Sequence, residues 1–182
     1  MTVATKKLTV EEYFELERHS EIRHEYVDGT LIELKPGVSR IHSKIVKNII
    51  KAFDDLSDAR GCELHAVDVM TQVADERYRY PDIVISCAPG EDRRVLENPC
   101  FIAEVTSEST AETDHSLKLR EYLEIPTLER YAIVSQSERL VLVFRREGKL
   151  STFDTFSGSG EFEIPCLVVK LSLEQIYAGV AF

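Results

Sequence analysis

Tyr80-Pro81-Asp82-Ile83-Val84-Ile85 and, after a loop, Phe101-Ile102-Ala103-Glu104-Val105 are two apolar runs that each carry one carboxylate. Their length and their content of Val, Ile and aromatic residues predict strands. The loop between them contains Pro89-Gly90 and the charged run Glu91-Asp92-Arg93-Arg94, and Pro99 opens the second run. An ionised side chain is expensive to bury without a partner. Asp82 and Glu104 therefore each demand a cation, backbone N–H groups or a metal ion nearby, or else an outlet to solvent. If the two strands pair, the carboxylates come within about 4–5 Å of each other. At an effective dielectric near 20 such a pair repels by about 4 kcal/mol.

Outward from these strands the pattern alternates between helix and sheet. Before them, Cys62, Leu64, Ala66, Val67, Val69, Thr71 and Val73 follow a period near two. They predict a strand antiparallel to 80–85, joined to it through the charged tip Asp75-Glu76-Arg77. Thr9-Val10-Glu11-Glu12 has capping-box spacing and predicts a helix over 9–18. Asp28-Gly29 between Ile22–Val27 and Thr30–Leu34 predicts a hairpin. Ile41, Ile45, Val46, Ile49, Ile50 and Phe53 recur at helical spacing and predict a long helix over 39–57. A further helix is predicted from Thr110 to Glu124, where Pro126 ends it. β structure is predicted at 131–134, 139–144 and 150–153, and a short helix at 172–178. No composition shift or repeat divides the chain. The reading is one α/β (α+β) domain over residues 1–182, with helices covering a mixed central β-sheet.

Composition narrows the function classes. The 182 residues include 22 Lys+Arg and 32 Asp+Glu, for a net charge of −10. A chain of this size buries roughly 70% of its unfolded surface and needs no disulfide or metal staple. No apolar run approaches the roughly 20 residues of a membrane span, and the first residues lack the apolar core of a signal peptide. Cys62, Cys87, Cys100 and Cys166 are widely spaced, with no CxxC, and read as free thiols of a cytoplasmic protein. The acidic balance disfavours broad coating of nucleic acid, whose phosphates are bound through Lys and Arg. A local basic face remains open. Arg40, Lys44, Lys47 and Lys51 form a stripe beside the apolar face of the long helix, which suits either a solvated face or a phosphate-contacting track. Arg77, Arg79, Arg93 and Arg94 are the alternative track.

Phosphate-cradling glycine loops, serine-hydrolase elbows and paired zinc histidines are absent from the sequence. Two strand acids of like charge suit a hard divalent cation such as Mg²⁺, which prefers oxygen ligands. Glu25, inside the first hairpin strand, is a candidate third acid. Lys118, on the helix after the Glu104 strand, is the candidate cation beside a charged transition state. Asp114, four residues before it, offers a plain helical ion pair instead.

Pro81-Asp82, a gap of about twenty residues, and Glu104 in an apolar strand resemble the PD-(D/E)XK nuclease superfamily. The ordered set is closer to its Uma-type family of restriction-endonuclease-like proteins. That set is Thr9–Tyr13, Glu25–Gly29, His42, Tyr80–Ile85, Glu104–Thr110, Asp114 with Lys118 and Tyr122, and Tyr131–Val134. The resemblance implies a restriction-endonuclease-like core and Mg²⁺-dependent phosphodiester hydrolysis, with Mn²⁺ as a substitute. It implies Asp82 and Glu104 as metal ligands, and Glu25 as the acid from the N-terminal part of the fold. The superfamily's lysine normally stands two residues after the second acid, where this chain has Thr106. A lysine displaced onto the next helix makes Lys118 the candidate. Glu108 stands where the family commonly has proline, which adds an acid near the site. His42 is a candidate phosphate contact.

Three functions fit these residues. The first is a metal-dependent DNA endonuclease acting as a homodimer, with Asp82, Glu104, Lys118 and Glu25 catalytic and Arg40, His42, Lys44, Lys47 and Lys51 on DNA. The second is an inactive nuclease-fold module binding nucleic acid or a protein partner. The third is a hydrolase of another phosphoester.

Overall fold

The computed structural model describes residues 7–34, 37–88, 90–106, 114–148 and 150–182, with the backbone alone at 114–116. Thr9 caps α1 (Val10–His19): its hydroxyl accepts the Glu12 N–H at 3.2 Å, and the Glu12 carboxylate accepts the Thr9 N–H at 2.9 Å. Asp28 and Gly29, at φ 49° and 91°, turn β1 (His24–Val27) back into β2 (Thr30–Glu33). A Cβ at position 29 would sit 2.7 Å from the Lys7 Cβ, so glycine is needed for space as well as for its backbone conformation. Ser39 caps α2 (Arg40–Ala59) by accepting the His42 N–H at 3.0 Å.

The predicted strand over 62–73 is in fact two strands in different sheets. β3 (Glu63–Ala66) and β4 (Thr71–Ala74) are separated by Val67 and Asp68, which take left-handed φ values of 53° and 65° and turn the chain. β4 pairs with β5 (Arg77–Arg79), and β3 pairs with β6 (Ile83–Ser86). Between β5 and β6 lies Pro81, which has no N–H to continue a ladder. The chain thus leaves one sheet after β3 and returns to it at β6.

Then follow β7 (Phe101–Thr106), α3 (Asp114–Glu124), β8 (Arg130–Ser135), β9 (Leu140–Glu147), β10 (Leu150–Ser157), β11 (Glu161–Ile164), β12 (Val169–Ser172) and α4 (Leu173–Ile176). The part of the predicted helix before Asp114 lies outside the described residues. The larger sheet has the order β10-β9-β8-β7-β6-β3, and the smaller β2-β1-β5-β4. In the larger sheet β7 and β8 are parallel and the other pairs are antiparallel, so the sheet is mixed and α3 makes the crossover.

Alternation along the central strands sorts the core. Ile83, Ile85, Ala103 and Val134 pack beneath Ile45, Ile49 and Phe53 of α2 and Leu173 and Ile176 of α4. Val84, Ile102 and Tyr131 face the other way, against Tyr122 of α3 and Ile125 just after it. Under α1, Tyr13, Tyr26, Tyr78 and Tyr80 form an aromatic layer on the smaller sheet, with the Tyr13 and Tyr26 rings stacked at 4.9 Å.

The cysteines overturn the expectation of dispersed free thiols. Cys62 is bonded to Cys87, and Cys100 to Cys166. Linear spacing concealed this because the four positions end or begin different elements that converge at one edge of the core. Among the described residues no helix is long and apolar enough to cross a membrane.

Ile49 is fully buried between α2 and the larger sheet. Ile49→Ala is expected to cost about 2–5 kcal/mol, whereas Lys47→Ala on the exposed face of the same helix stays within about 0.5 kcal/mol. Urea unfolding of the two variants measures the difference.

Candidate active site

The two sheets meet at Tyr80-Pro81-Asp82, and side chains from both converge there. Ile83 pairs with Ala103 in the β6–β7 ladder. Continuing that register one residue past the end of the ladder brings Asp82 beside Glu104. The predicted proximity of the two acids follows from this pairing. Asp82 Oδ2 accepts the Val105 N–H at 2.8 Å and lies 3.1 Å from His42 Nε2. Glu104 Oε1 accepts the Tyr122 hydroxyl at 2.9 Å and lies 3.5 Å from Lys118 Nζ.

Glu25 comes from the smaller sheet. It is 1% exposed, and its two oxygens meet Arg79 Nη1 at 2.6 Å and Lys118 Nζ at 2.9 Å. Lys118 thus bridges Glu25 and Glu104, one acid from each sheet. The side chain of Asp114, its helical alternative partner, lies outside the described residues, as do Ser107 and Glu108. Arg79 is also 1% exposed and grips Glu121 through two bonds, Nε to Oε2 at 2.8 Å and Nη2 to Oε1 at 3.0 Å. This planar fork is the geometry in which arginine binds carboxylate most strongly.

Local sequence explains the aim of each side chain. In Arg77-Tyr78-Arg79-Tyr80 the tyrosines point toward α1, so the arginines point toward α3. On α3, Lys118, Glu121 and Tyr122 stand at i, i+3 and i+4 and share one face. Arg79 and Glu121 were missed as site members in the sequence. The strand alternation and the i, i+3 spacing to Lys118 were the available signals.

Arg77, Arg79, Arg93 and Arg94 do not form an exposed basic track. Arg79 is buried, Arg77 pairs with Asp28 at 2.7 Å, and Arg94 pairs with Asp92 while lying over the Phe14 ring. The stripe on α2 is different. Arg40, Lys44, Lys47 and Lys51 are all exposed, and among the described residues none is in an ion pair. The same line of the helix turns acidic beyond Lys51, at Asp54, Asp55 and Asp58. His42 is apart from the stripe, buried and turned to Asp82. Beside it opens a cleft of about 660 Å³ lined by Ser39, Val105, Gln136 and Phe182 among others.

The charge balance is uneven. Among the described residues, the carboxylates of Glu25, Asp82, Glu104 and Glu121 face the cations Arg77, Arg79 and Lys118, leaving an excess of one negative charge, with the His42 ring beside Asp82. Burial, with Asp82 and Glu25 adding to it, pushes the Glu104 carboxyl up to about 7 despite Lys118. Burial and the same carboxylate also hold the Tyr122 hydroxyl well above its ordinary range, so it donates to Glu104 as a neutral phenol. The described contacts fall on one oxygen of Asp82 and one of Glu104. A hard divalent cation fits such a place, which offers oxygen donors of net negative charge.

The fold is that of a mixed α+β protein, and comparison with known proteins gives its family. Residues 10–175 match the model of the family Uma2, described as "Putative restriction endonuclease". The chain belongs to that family. It is 29% identical over 180 residues to the uncharacterized protein slr1290 of Synechocystis sp., covering 97% of this chain and 94% of the relative. A second Synechocystis sp. protein, sll1609, is 30% identical over 142 residues, 75% of this chain and 80% of the relative. Among solved structures, a "putative nuclease belonging to DUF820" from Anabaena variabilis superposes with a TM-score of 0.78 at 18% identity. That match covers 96% of this chain and 99% of the other. The fold is shared across that distance.

Two stability effects follow. Arg79→Ala leaves Glu25 and Glu121 without their buried partner and is expected to cost about 3–5 kcal/mol in chemical denaturation. Glu104 retains its proton in the folded chain at pH values where the unfolded chain has lost it. Without divalent cations, the thermal midpoint should therefore fall as pH rises from about 4.5 to about 7. Glu104→Gln should flatten that decline, and a midpoint series against pH for both proteins reads it directly.

Proposed function

We propose that this chain is a divalent-metal-dependent DNA endonuclease of the cytoplasm, hydrolysing phosphodiester bonds at the Asp82–Glu104 site. The observation that carries this reading is the convergence of Asp82 and Glu104 at one end of the β6–β7 pair, with Lys118 bridging Glu104 and Glu25. Family membership and the shared nuclease-type fold support it. Asp82 and Glu104 would hold Mg²⁺, or Mn²⁺ in its place. When bound, that cation supplies Lewis-acid stabilisation of phosphoryl charge and an activated nucleophile.

The chain's own residues supply the rest. Glu25 fixes Lys118 at 2.9 Å and keeps its ammonium beside Glu104, where it can stabilise negative charge developing on a phosphoryl oxygen. Arg79 in turn fixes Glu25, so the lysine is held by a chain of ion pairs and not by its own flexible stem. Thr106 occupies the position after Glu104 where the related nucleases place lysine. Lys118 reaches the same carboxylate from α3 instead. His42 holds Asp82 from the α2 side. The cleft beside His42 and the exposed stripe Arg40, Lys44, Lys47 and Lys51 start from the same end of α2 and offer a path for the DNA backbone. Cutting both strands calls for two such sites, which a homodimer would provide.

The tests separate metal, chemistry and substrate. Calorimetry with Mg²⁺ or Mn²⁺ should show binding to the wild-type chain, lost in Asp82→Ala and in Glu104→Ala. Lys118→Ala should bind the cation yet lose at least about 100-fold in plasmid cleavage, the scale of one transition-state contact. Reversing Lys44 and Lys47 to glutamate should weaken DNA binding and lessen its salt dependence while sparing metal binding. Metal binding without cleavage of plasmid, single-stranded DNA or RNA would favour the interaction-module reading. Sedimentation with and without DNA reports the dimer.

A further inference from the structure

The four cysteines meet at the end of the β6–β7 pair opposite to Asp82 and Glu104. Cys87 follows β6 and Cys100 precedes β7, so their sulfurs lie 3.9 Å apart. Cys62 arrives from the turn between α2 and β3, and Cys166 from the short turn Pro165–Leu167 before β12. The sulfurs of Cys87, Cys100 and Cys166 all lie within 4.8 Å of one another, and Cys62 is bonded to Cys87. The chain contains no other cysteine, so every thiol it has is gathered in one cluster.

We propose that this cluster is a redox-gated tetrathiolate site for Zn²⁺, with two disulfides as its oxidised form. Zinc at about 2.3 Å from each of four sulfurs sets the sulfurs about 3.8 Å apart, the separation already present between Cys87 and Cys100. Once the disulfides are broken, the bonded sulfurs must part to that separation and Cys62, which lies outside the close group of three, must turn in toward Cys100 and Cys166, movements that side-chain rotation supplies. Cys87 is exposed and Cys166 half-buried, which gives both the reductant and the ion a way in, while Cys62 and Cys100 are buried against the core. A site drawn from four separate elements binds its metal only when the fold is complete, so occupancy ties the C-terminal β11–β12 hairpin to the central sheet.

The chemistry balances with a dithiol as reductant. Two disulfides take up four electrons and four protons from two dithiols, each of which becomes a disulfide, leaving four cysteine thiols. Binding Zn²⁺ as four thiolates then releases four protons. In a reducing cytoplasm the thiol form prevails and the site can be filled. A disulfide oxidant reverses this: two of its disulfides take up four electrons and four protons to become dithiols, while the four thiolates close into the two protein disulfides and expel the ion.

Cobalt is the probe, because a carboxylate site such as Asp82–Glu104 gives no thiolate band. The full chain, reduced under anaerobic conditions and titrated with Co²⁺, should take up about one ion with thiolate-to-cobalt charge-transfer absorption and tetrahedral d–d bands, displaced by Zn²⁺. Cys87→Ser and Cys166→Ser, each checked for unchanged circular dichroism, should weaken binding by at least about tenfold, the loss that even an outer-shell change costs a metal site. Both positions are partly or fully exposed, so one folded variant suffices. Four titratable thiols with no thiolate band would overturn the proposal, as would a band unchanged in the folded variants.

Discussion

The structure is organised around an excess of carboxylate in a place where water is scarce. Glu25, Glu104 and Glu121 are buried within reach of one another, and among the described residues Arg77, Arg79 and Lys118 answer them. No arrangement of apolar side chains stabilises such a group. The ion pairs must form together, because removing one partner leaves a bare charge in a medium of low polarity. This requirement locks the smaller sheet to the larger one. Glu25 and Arg79 belong to the first, Glu104 to the second, and Lys118 and Glu121 to the helix laid across the junction.

Apolar packing alone would leave that junction weakly specified. The tyrosines beneath α1 and the isoleucines beneath α2 form separate clusters, each satisfied within its own layer. Pro81 ends one ladder and Asp82 begins the next, so the backbone supplies a joint and the buried charges set its angle. The charge imbalance that remains there raises the Glu104 carboxyl above its ordinary range. The departure at Thr106 illustrates the same economy of geometry. A lysine on α3 reaches the carboxylate that a lysine on β7 would have served.

The two ends of the β6–β7 pair make a contrast. One end gathers hard oxygen donors, and the other gathers all four of the chain's cysteines. The strand residues between them, 83–86 and 101–103, are buried and, apart from Ser86, apolar. The surface follows a similar division. The first half of α2 is basic and unpaired among the described residues, while its second half is acidic, so a strongly acidic protein still presents one local cationic track near the site.

Much of this was legible in the sequence. The capping box at Thr9, the Asp28-Gly29 turn, the long helix with its basic stripe and the two central strands all follow from local rules, because caps, turns and short-range periodicity depend on neighbouring residues only. That Asp82, Glu104 and Glu25 would each need a partner was legible for a related reason: a charge inside an apolar pattern needs one wherever it ends up. What the sequence could not specify was the identity of those partners. Arg79 looked like one exposed arginine among several, and Glu121 like any helix acid, until the meeting of two sheets buried both. The strand over 62–73 split because left-handed turns at Val67 and Asp68 are set by where the flanking segments pair. The cysteines, separated by 25 and 66 residues within their bonded pairs, became a cluster only when four elements ended at the same edge. Local pattern determines which groups must be satisfied. Tertiary packing decides which groups satisfy them, because burial and distance do not exist until the chain has folded.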